Sequence, residues 1–270
     1  MKLETMVDEY YKSQNVLNGL ELDTPVYKYM PLKYVKALIQ NHTLRIDPVL
    51  RWEDTYENWF LKEKMQLKSG EIGTAENLIP GVFGQCWSRK EESDAMWRIY
   101  STVKKNHGDE RVSFEYLQNS AVRIKTTAKK IYDAIYIEDK DMASVYIGCV
   151  NYLSQEDFDI HVDSLSSLSP LLLNEVFKNS YFIKRDSFAH EEEIRLIILV
   201  PNVGDDRFGK EYLNYNIEPD SFVDELVADP RLSEKEYQYV QEQLLEAGAR
   251  SECISQSKLY KFKHITIQLQ

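Results

Sequence analysis

The chain contains little cysteine and no long apolar segment. Its three cysteines, Cys86, Cys149 and Cys253, are odd in number and far apart, so neither a disulfide framework nor a paired zinc-ligand spacing is supported. No run of about 18 uncharged apolar residues occurs, and the first residues lack the apolar core of a signal peptide. These absences predict a cytoplasmic protein that does not insert into a membrane.

Several motifs of nucleotide and metal chemistry are also missing. There is no Gly-x-x-x-x-Gly-Lys-Ser/Thr loop, no Gly-x-Gly-x-x-Gly fingerprint and no Gly-x-Ser-x-Gly elbow. NTP hydrolysis, Rossmann-type dehydrogenation and α/β-hydrolysis are therefore not expected. The five histidines show no His-x-x-x-His or Glu-x-x-x-His pairing, so no metal site on a helix is predicted.

Positive charge is in the minority. The chain has 33 Lys and Arg against 44 Asp and Glu, a formal net charge of -11. This balance opposes non-specific attraction to nucleic-acid phosphates or anionic lipid, although a local basic groove stays compatible with it. With 43% hydrophobic residues in 270, the chain can bury a full core. We therefore expect one domain spanning residues 1–270.

Helical and strand patterns alternate along the chain. They predict an α+β fold, with a central mixed or split β-sheet flanked by helices and a helical extension over residues 1–24. Helices are predicted at residues 3–20, 31–41, 94–100, 127–136, 170–178 and 233–247. Strands are predicted at residues 26–29, 43–46, 82–88, 122–126, 145–152, 190–200, 222–228 and 262–269.

One segment concentrates charge where a strand enters the interior. Residues 190–195 read His-Glu-Glu-Glu-Ile-Arg and precede the apolar run 196–200. Alternation along a strand would place Glu191, Glu193 and Arg195 on one face. Because charge is costly in a core, this cluster must be paired, functional or both.

Five blocks spread over nearly the whole chain resemble a known bacterial family. They are Tyr27-Lys28-Tyr29, residues 52–57, Cys86-Trp87-Ser88 with residues 96–100, residues 122–127, and residues 188–195. In this order they look like the uncharacterised family known as domain of unknown function 2971. That family often has arginine where this chain has Lys28, and an Asn-Asp-Pro-Phe-Glu-like run at residues 53–57. It implies no activity by itself.

A second resemblance suggests an activity. ADP-ribosyltransferases of the arginine-serine-glutamate type carry a basic residue on an early strand, a serine-bearing strand in the middle and a Glu-x-Glu pair opening a late strand. Lys28, Ser88 and Glu191-x-Glu193 occur here in that order. The likeness implies an ADP-ribosyltransferase-like fold that uses NAD and moves ADP-ribose to a macromolecular acceptor, either protein or nucleic acid. A bacterial toxin or phage-defence effector with an antitoxin or chaperone partner fits it.

The same resemblance implies roles for the two glutamates and the serine. Glu193 would stabilise the oxocarbenium-like state formed when the nicotinamide-ribose bond breaks, as carboxylates do in glycoside hydrolysis. Glu191 would orient or deprotonate the acceptor. Ser88 would hydrogen-bond to Glu193 and support its strand.

Basic and aromatic residues would hold NAD. Lys28 would meet the pyrophosphate as a point charge. Tyr27, Trp97 or Tyr100 would stack on nicotinamide, since aromatic faces suit planar rings, and Tyr29 belongs to the same cofactor-binding block.

Each role has a structural alternative. The Glu-x-Glu-x-Arg pattern is typical of ion pairs at a sheet edge, and Arg195 is interpreted as structural. Lys28 could be an ordinary solvated lysine, and Ser88 could begin a turn. Trp97 and Tyr100 lie three apart on a predicted helix, which is the spacing of a core face. His190 is interpreted as a hydrogen-bonded neighbour of the acidic residues.

Two other functions stay open from the sequence. A metal-dependent nuclease could use clustered carboxylates, for which the sequence offers Glu191 and Glu193 together with Asp47, Glu53, Asp54 and Glu57. A non-catalytic ligand-sensing or protein-interaction module could keep the fold with a degenerate site. The lysine at position 28, where arginine is expected, favours the module.

Overall fold

The computed structural model describes residues 14–54, 56–57, 59–66, 69–101, 114–139, 144–167, 169, 172–200 and 204–262. The fold is α+β, with mixed sheets flanked by helices, which confirms the predicted fold class. The chain divides into two compact units. The first comprises Met1–Val26, Thr43–Lys90 and Thr127–Ile217, and the second comprises Tyr27–His42, Glu91–Thr126 and Glu218–Gln270. The single domain expected over residues 1–270 stays a prediction.

The elements are numbered in chain order. The strands are β1 (Val16–Leu17), β2 (Pro25–Pro31), β3 (Thr43–Pro48), β4 (Met65–Gln66), β5 (Ile72–Gly73), β6 (Val82–Ser88), β7 (Ala121–Thr127), β8 (Ser144–Cys149), β9 (Asn151–Leu153), β10 (Ile183–Arg185), β11 (Glu193–Leu199), β12 (Leu213–Asn216), β13 (Glu225–Ala228) and β14 (Ile254–Gln256). The α-helices are α1 (Leu32–Asn41), α2 (Trp59–Lys62), α3 (Asp94–Tyr100), α4 (Ala128–Asp139), α5 (Gln155–Ser164), α6 (Leu173–Ser180), α7 (Pro219–Phe222) and α8 (Glu234–Glu246). No helix among the described residues is both long and apolar enough to cross a membrane.

The first unit is built on the strand order β1–β8–β11–β6, with β3 beside β6 and β12 beside β3. β1 runs parallel to β8, whereas β11 is antiparallel to both β8 and β6. β11 is buried along nearly its whole length, which explains its continuous apolar run, because both of its faces are covered. A separate parallel pair, β9 and β10, sets Lys184 opposite Tyr152.

The second unit carries the strand order β2–β7–β13–β14, in which β13 is antiparallel to β7 and parallel to β14. An apolar cluster forms its core and consists of Tyr27, Tyr29, Met96, Trp97, Ala121 and Val227. Its longest helix, α8, begins at a capping box in which Ser233 and Glu236 satisfy each other's main-chain N–H groups. The predicted start of α3 also holds, since the Ser93 hydroxyl accepts from the Met96 N–H.

The helix predicted at residues 3–20 ends earlier than predicted, because Gln14 is the last helical residue before a strand begins. Val16 and Leu17 form β1, which pairs with Ile147 and Gly148 of β8. The chain then turns through Asn18 and Gly19, both with positive φ. Tertiary pairing with a sheet edge therefore overrides the helical spacing of the apolar residues. Residues 1–13, which hold most of the predicted helical extension, lie outside the described residues.

Other boundaries differ locally. The strand predicted at residues 145–152 is two strands, because the Val150 N–H donates to the Glu193 carbonyl and the Asn151 N–H donates to the Phe182 carbonyl. The strand predicted at residues 222–228 begins at Glu225, after the short helix α7. The last predicted strand, at residues 262–269, lies outside the described residues except for Phe262.

Gly84 on β6 allows three side chains to approach the sheet closely. A Cβ atom at this position would lie 2.7 Å from Cζ2 of Trp52, 3.0 Å from Cγ1 of Val49 and 3.1 Å from Cδ1 of Ile197. Trp52 covers a buried arginine of the neighbouring strand, Arg195, with its ring centre 4.6 Å from the guanidinium carbon. The missing side chain at position 84 therefore helps to seat Trp52 over that charge.

We expect Gly84→Ala to lower the free energy of unfolding by about 1–3 kcal/mol, because the added methyl overpacks this contact. Urea denaturation measures the loss. The matched control is Gly73→Ala on the exposed strand β5, where a Cβ atom meets nothing within 4 Å. Equal stability of the two variants would contradict the packing argument.

Candidate active site

Glu193 opens β11 directly beside the end of β6. In the antiparallel pairing of these strands, Glu193 is the partner of Ser88 and Arg195 is the partner of Cys86. Ser88 and Glu193 are both buried. The serine and glutamate singled out from the sequence thus lie on neighbouring strands at the same end of the sheet.

The Ser88 hydroxyl supports the turn before β11 rather than the Glu193 carboxylate. It donates to the main-chain carbonyl of Glu191 at 2.6 Å and accepts from the Lys90 N–H at 2.9 Å. A hydroxyl has one proton to donate, and the Glu191 carbonyl receives it. The predicted hydrogen bond from Ser88 to Glu193 is therefore wrong, although the predicted support of this strand by Ser88 is compatible with the contact observed.

Glu191 does not belong to β11. It ends the 3-10 helix Asp186–Glu191, and Glu192 follows in the left-handed region with φ 45° and ψ 52°. The Arg89 N–H donates to the Glu192 carbonyl at 3.0 Å and fixes this turn. Alternation along one strand is therefore the wrong explanation for the convergence of Glu191 and Glu193.

Lys184 on β10 brings the two carboxylates together. Its Nζ donates to Oε2 of Glu191 at 2.6 Å and to Oε1 of Glu193 at 3.0 Å. The side chains of Lys184, Glu191 and Glu193 are 8%, 12% and 8% exposed. Two largely buried carboxylates therefore share one ammonium group.

Arg195 occupies the other oxygen of Glu193. Its Nε donates to Glu193 Oε2 at 2.8 Å, its Nη1 donates to the Tyr181 carbonyl at 2.8 Å, and its Nη2 donates to Glu57. The Arg195 side chain is only 1% exposed, with Trp52 covering its guanidinium. The predicted structural role of Arg195 agrees with these contacts.

Together these side chains form a continuous chain of charges, called the acidic network here: Glu191, Lys184, Glu193, Arg195 and Glu57. Each cation lies between two carboxylates. A buried charge is tolerated only when it is paired and hydrogen-bonded, and the network meets both conditions.

The network moves the pKa values of its two central carboxyls in opposite directions. Burial alone would raise the pKa of Glu193, but the charges of Arg195 and Lys184 outweigh it and lower that pKa to about 2. Burial raises the pKa of Glu191 above its ordinary 4.5, because the hydrogen bond from Lys184 only partly offsets burial and the negative charge of Glu193 acts in the same direction as burial. A fixed carboxylate next to a readier proton acceptor is an arrangement suited to acid-base chemistry.

The basic and aromatic residues predicted to hold NAD lie in the second unit, whereas Ser88, the remaining member of the predicted cofactor-binding set, lies in the first. Tyr27, Tyr29 and Trp97 belong to the apolar core of the second unit, where the ring of Tyr29 meets that of Trp97 edge-on at 4.7 Å between centres. Trp97 therefore follows the packing alternative that the sequence left open, and Tyr27 and Tyr29 are core residues as well. Tyr100 is 39% exposed and Lys28 is half-buried. That these residues share one cleft with Glu191, Glu193 and Ser88 stays a prediction.

Five of the six carboxylates considered for a nuclease, all except Glu53, contact cations instead of forming a ligand set. Asp47 bonds to Arg45 at 2.8 Å, Asp54 bonds to Arg185 at 3.0 Å, and Glu57 belongs to the acidic network. Within the described part of the chain, no group of three or more His, Cys, Asp or Glu side chains could hold a metal ion.

Sequence reasoning missed two residues of the site, Lys184 and Tyr152, and named Glu57 only as a carboxylate of the nuclease alternative. Tyr152 contributes its hydroxyl, which accepts the Glu193 main-chain N–H at 2.8 Å. A signal for Lys184 was present, because this lysine directly follows the apolar run Tyr181-Phe182-Ile183 and a charge in such a run needs a buried partner.

No protein-family model matches the chain, and no curated protein matches it. The resemblance to the domain of unknown function 2971 family therefore stays a prediction. Among solved structures, the chain is similar to Thermus sp. 2.9 DarT in complex with NAD+, at 12% identity and a TM-score of 0.37 over 88% of this chain and 97% of that one. The same protein in complex with ADP-ribosylated ssDNA gives 11% identity and a TM-score of 0.37 over 89% and 97% of the two chains. Likenesses this distant do not establish a function for this chain.

We expect Glu193→Gln to lower the free energy of unfolding by about 3–5 kcal/mol at pH 7, because it leaves Arg195 and Lys184 without a shared counter-charge. The folded-state pKa of Glu193, about 2, lies below its ordinary value of 4.5. The stabilisation from ionised Glu193 is therefore complete above pH 4.5 and is lost as the pH falls toward 2. Urea denaturation of the wild type and of Glu193→Gln should show that the difference between their free energies of unfolding decreases as the pH falls from 4.5 toward 2.

The control is Glu211→Gln, which removes an exposed carboxylate 3.2 Å from Arg51. Surface pairs of this kind contribute about 0–1 kcal/mol. A loss from Glu193→Gln no greater than that from Glu211→Gln, or a difference that widens toward low pH, would refute the assignment of the lowered pKa.

Proposed function

We propose that the chain is an NAD-dependent ADP-ribosyltransferase that moves ADP-ribose to a macromolecular acceptor. The observation that carries the proposal is the Glu191–Glu193 pair, in which two neighbouring carboxylates share Lys184 and have pKa values shifted in opposite directions. The order of Lys28, Ser88 and Glu191-x-Glu193 along the chain supports it, as does the pairing of Ser88 with Glu193 across two strands.

In this reaction NAD is a substrate. The bond between ribose C1′ and the nicotinamide nitrogen breaks, and its electron pair moves to that nitrogen, so nicotinamide leaves as a neutral molecule. C1′ then carries positive charge, which the ionised Glu193 would stabilise. An oxygen or nitrogen atom of the acceptor forms the new bond to C1′, and its proton passes to Glu191.

The network supports this division of roles. Glu193 is held on both oxygens, so its negative charge keeps one position and needs no reorganisation as charge develops on the ribose. Glu191 has a raised pKa and is the better proton acceptor of the two. Lys28 and Tyr100, the more exposed members of the predicted NAD set, would contact the pyrophosphate and the nicotinamide ring.

The family resemblance also suggests a biological role for the proposed enzyme. By that resemblance the enzyme would act as a bacterial toxin or a phage-defence effector, and an antitoxin or chaperone protein would restrain it. Protein and nucleic acid both stay open as acceptors. The net charge of -11 favours protein slightly, because it opposes attraction to phosphate.

A second candidate is a non-catalytic module, and one observation favours it. Both oxygens of Glu193 already bond to cations in a site that is largely buried. In such a module the acidic network would only join β10 to β11 and stabilise the fold.

The two functions differ in a direct assay. The purified protein, mixed with NAD and a cell lysate, should release nicotinamide and label a macromolecule with ADP-ribose. Digestion of the product by protease or by nuclease identifies the acceptor class. Glu191→Gln should lower the rate by about 10²–10⁴-fold, the usual contribution of a general base, while still binding NAD in calorimetry. Glu193→Gln should abolish turnover at a temperature where circular dichroism shows it folded.

The same Glu211→Gln variant serves as the kinetic control and should retain the wild-type rate. A wild-type protein that neither binds NAD nor releases nicotinamide would favour the non-catalytic module. Normal turnover in Glu191→Gln and Glu193→Gln would remove the acidic network from the mechanism.

A further inference from the structure

We propose that Lys184 is a positioning residue that keeps Glu191 deprotonated beside Glu193. It thereby sets the lowest pH at which Glu191 can take a proton from the macromolecule that receives ADP-ribose. This inference rests on the proposed function and adds a residue to it that neither the motif order nor the family resemblance contains. It follows from the unequal distribution of cations over the acidic network.

The two carboxylates depend on Lys184 to different degrees. Glu193 keeps a second cation, Arg195, at 2.8 Å. Among the residues that the structure describes, Lys184 is the one cation within ion-pair distance of Glu191, at 2.6 Å. Loss of the ammonium would therefore leave Glu193 paired but would leave Glu191 buried next to a like charge, with no cation.

The described groups that face Glu191 offer no replacement. β11 contributes Glu193, whose charge disfavours a second carboxylate, and β9 contributes Tyr152, whose pKa is raised by burial, so that its phenol stays neutral. Lys90, which follows β6, lies 3.5 Å from Glu192 and pairs with that carboxylate. The protonation of Glu191 is thus governed mainly by burial, Glu193 and Lys184.

Lys184 is suited to a fixed electrostatic role. Burial would lower its pKa, but the charge of Glu193 and the hydrogen bond to Glu191 raise it above the ordinary 10.5, so the ammonium stays charged throughout the physiological range. The parallel pairing of β10 with β9 fixes its main chain opposite Tyr152. The Phe188 ring lies over Nζ with its centre at 4.5 Å and limits the space around it.

The test compares Lys184→Met, which removes the charge, with Lys184→Arg, which keeps it. In Lys184→Met the acidic limb of the pH profile of kcat should move upward by about 1–3 pH units, the range of shifts that a neighbouring charge produces. Below the wild-type limb each unit of upward shift corresponds to a loss of about 10-fold, with recovery toward the wild-type rate at higher pH. Lys184→Arg should retain the wild-type profile.

A purely structural lysine would lower kcat at every pH without moving the limb, and that result would overturn the inference. The matched control is Lys178→Met, which removes a lysine that is 12% exposed and 2.7 Å from Glu175, outside the acidic network. It should leave the profile in place. Lys184→Gln, which retains a hydrogen-bond donor without charge, replaces Lys184→Met if the methionine variant does not fold.

A second measurement separates this inference from the proposed function. Carbon-13 NMR of carboxyl-labelled glutamate, with the Glu191 signal assigned from Glu191→Gln, reports the protonation midpoint of Glu191 without any turnover. The midpoint should rise in Lys184→Met and stay near the wild-type value in Lys184→Arg. An unchanged midpoint in Lys184→Met would overturn the role of Lys184 even in an active enzyme, whereas a wild-type protein without NAD turnover would overturn the transferase alone.

Discussion

The buried ion pair between Arg195 and Glu193 is the contact on which the arrangement of the site depends. A guanidinium that is 1% exposed pays a large desolvation cost, which only well-placed acceptors offset. Glu193, Glu57 and the Tyr181 carbonyl supply them, and Trp52 covers the guanidinium. Since these groups come from separate segments of the first unit, the pair fixes the end of α6 and the chain before α2 relative to β11.

The count of charges in the acidic network explains why its pKa values diverge. Three carboxylates face two cations, so the cations cannot be shared equally. Glu193 lies between Lys184 and Arg195, and its pKa is lowered. Glu191 and Glu57 each bond to one cation, and burial raises the pKa of both. A surplus proton would therefore enter the network at one of its two ends, and Glu191 is the end that lies beside Ser88 and β6.

Local signals in the sequence predicted those parts of the fold that neighbouring residues decide. The strand at residues 82–88 and the helix at residues 94–100 have the predicted bounds, Ser93 caps that helix, and Gly248 follows α8 with positive φ. The expectation that the charges at residues 190–195 are paired is also confirmed. It could be made from the sequence because it depends only on the free-energy cost of burying a charge. The predicted helix at residues 3–20 does not include Val16 and Leu17, because these two apolar residues pair with β8. No local pattern in the sequence reveals that pairing.

The details of the candidate site depended on contacts between segments that lie apart in the chain. Strand alternation led to the expectation that Glu191 and Glu193 share a face, yet the left-handed residue Glu192 breaks the strand between them and Lys184 restores their proximity. The turn at Glu192 also has a chemical consequence that a continuous strand would not produce. Two carboxylates aligned on one strand would face similar surroundings, whereas a turn residue and a strand residue meet different numbers of cations. The difference in proton affinity within the pair therefore arises from the interruption of the strand, and a prediction limited to regular secondary structure would not include it.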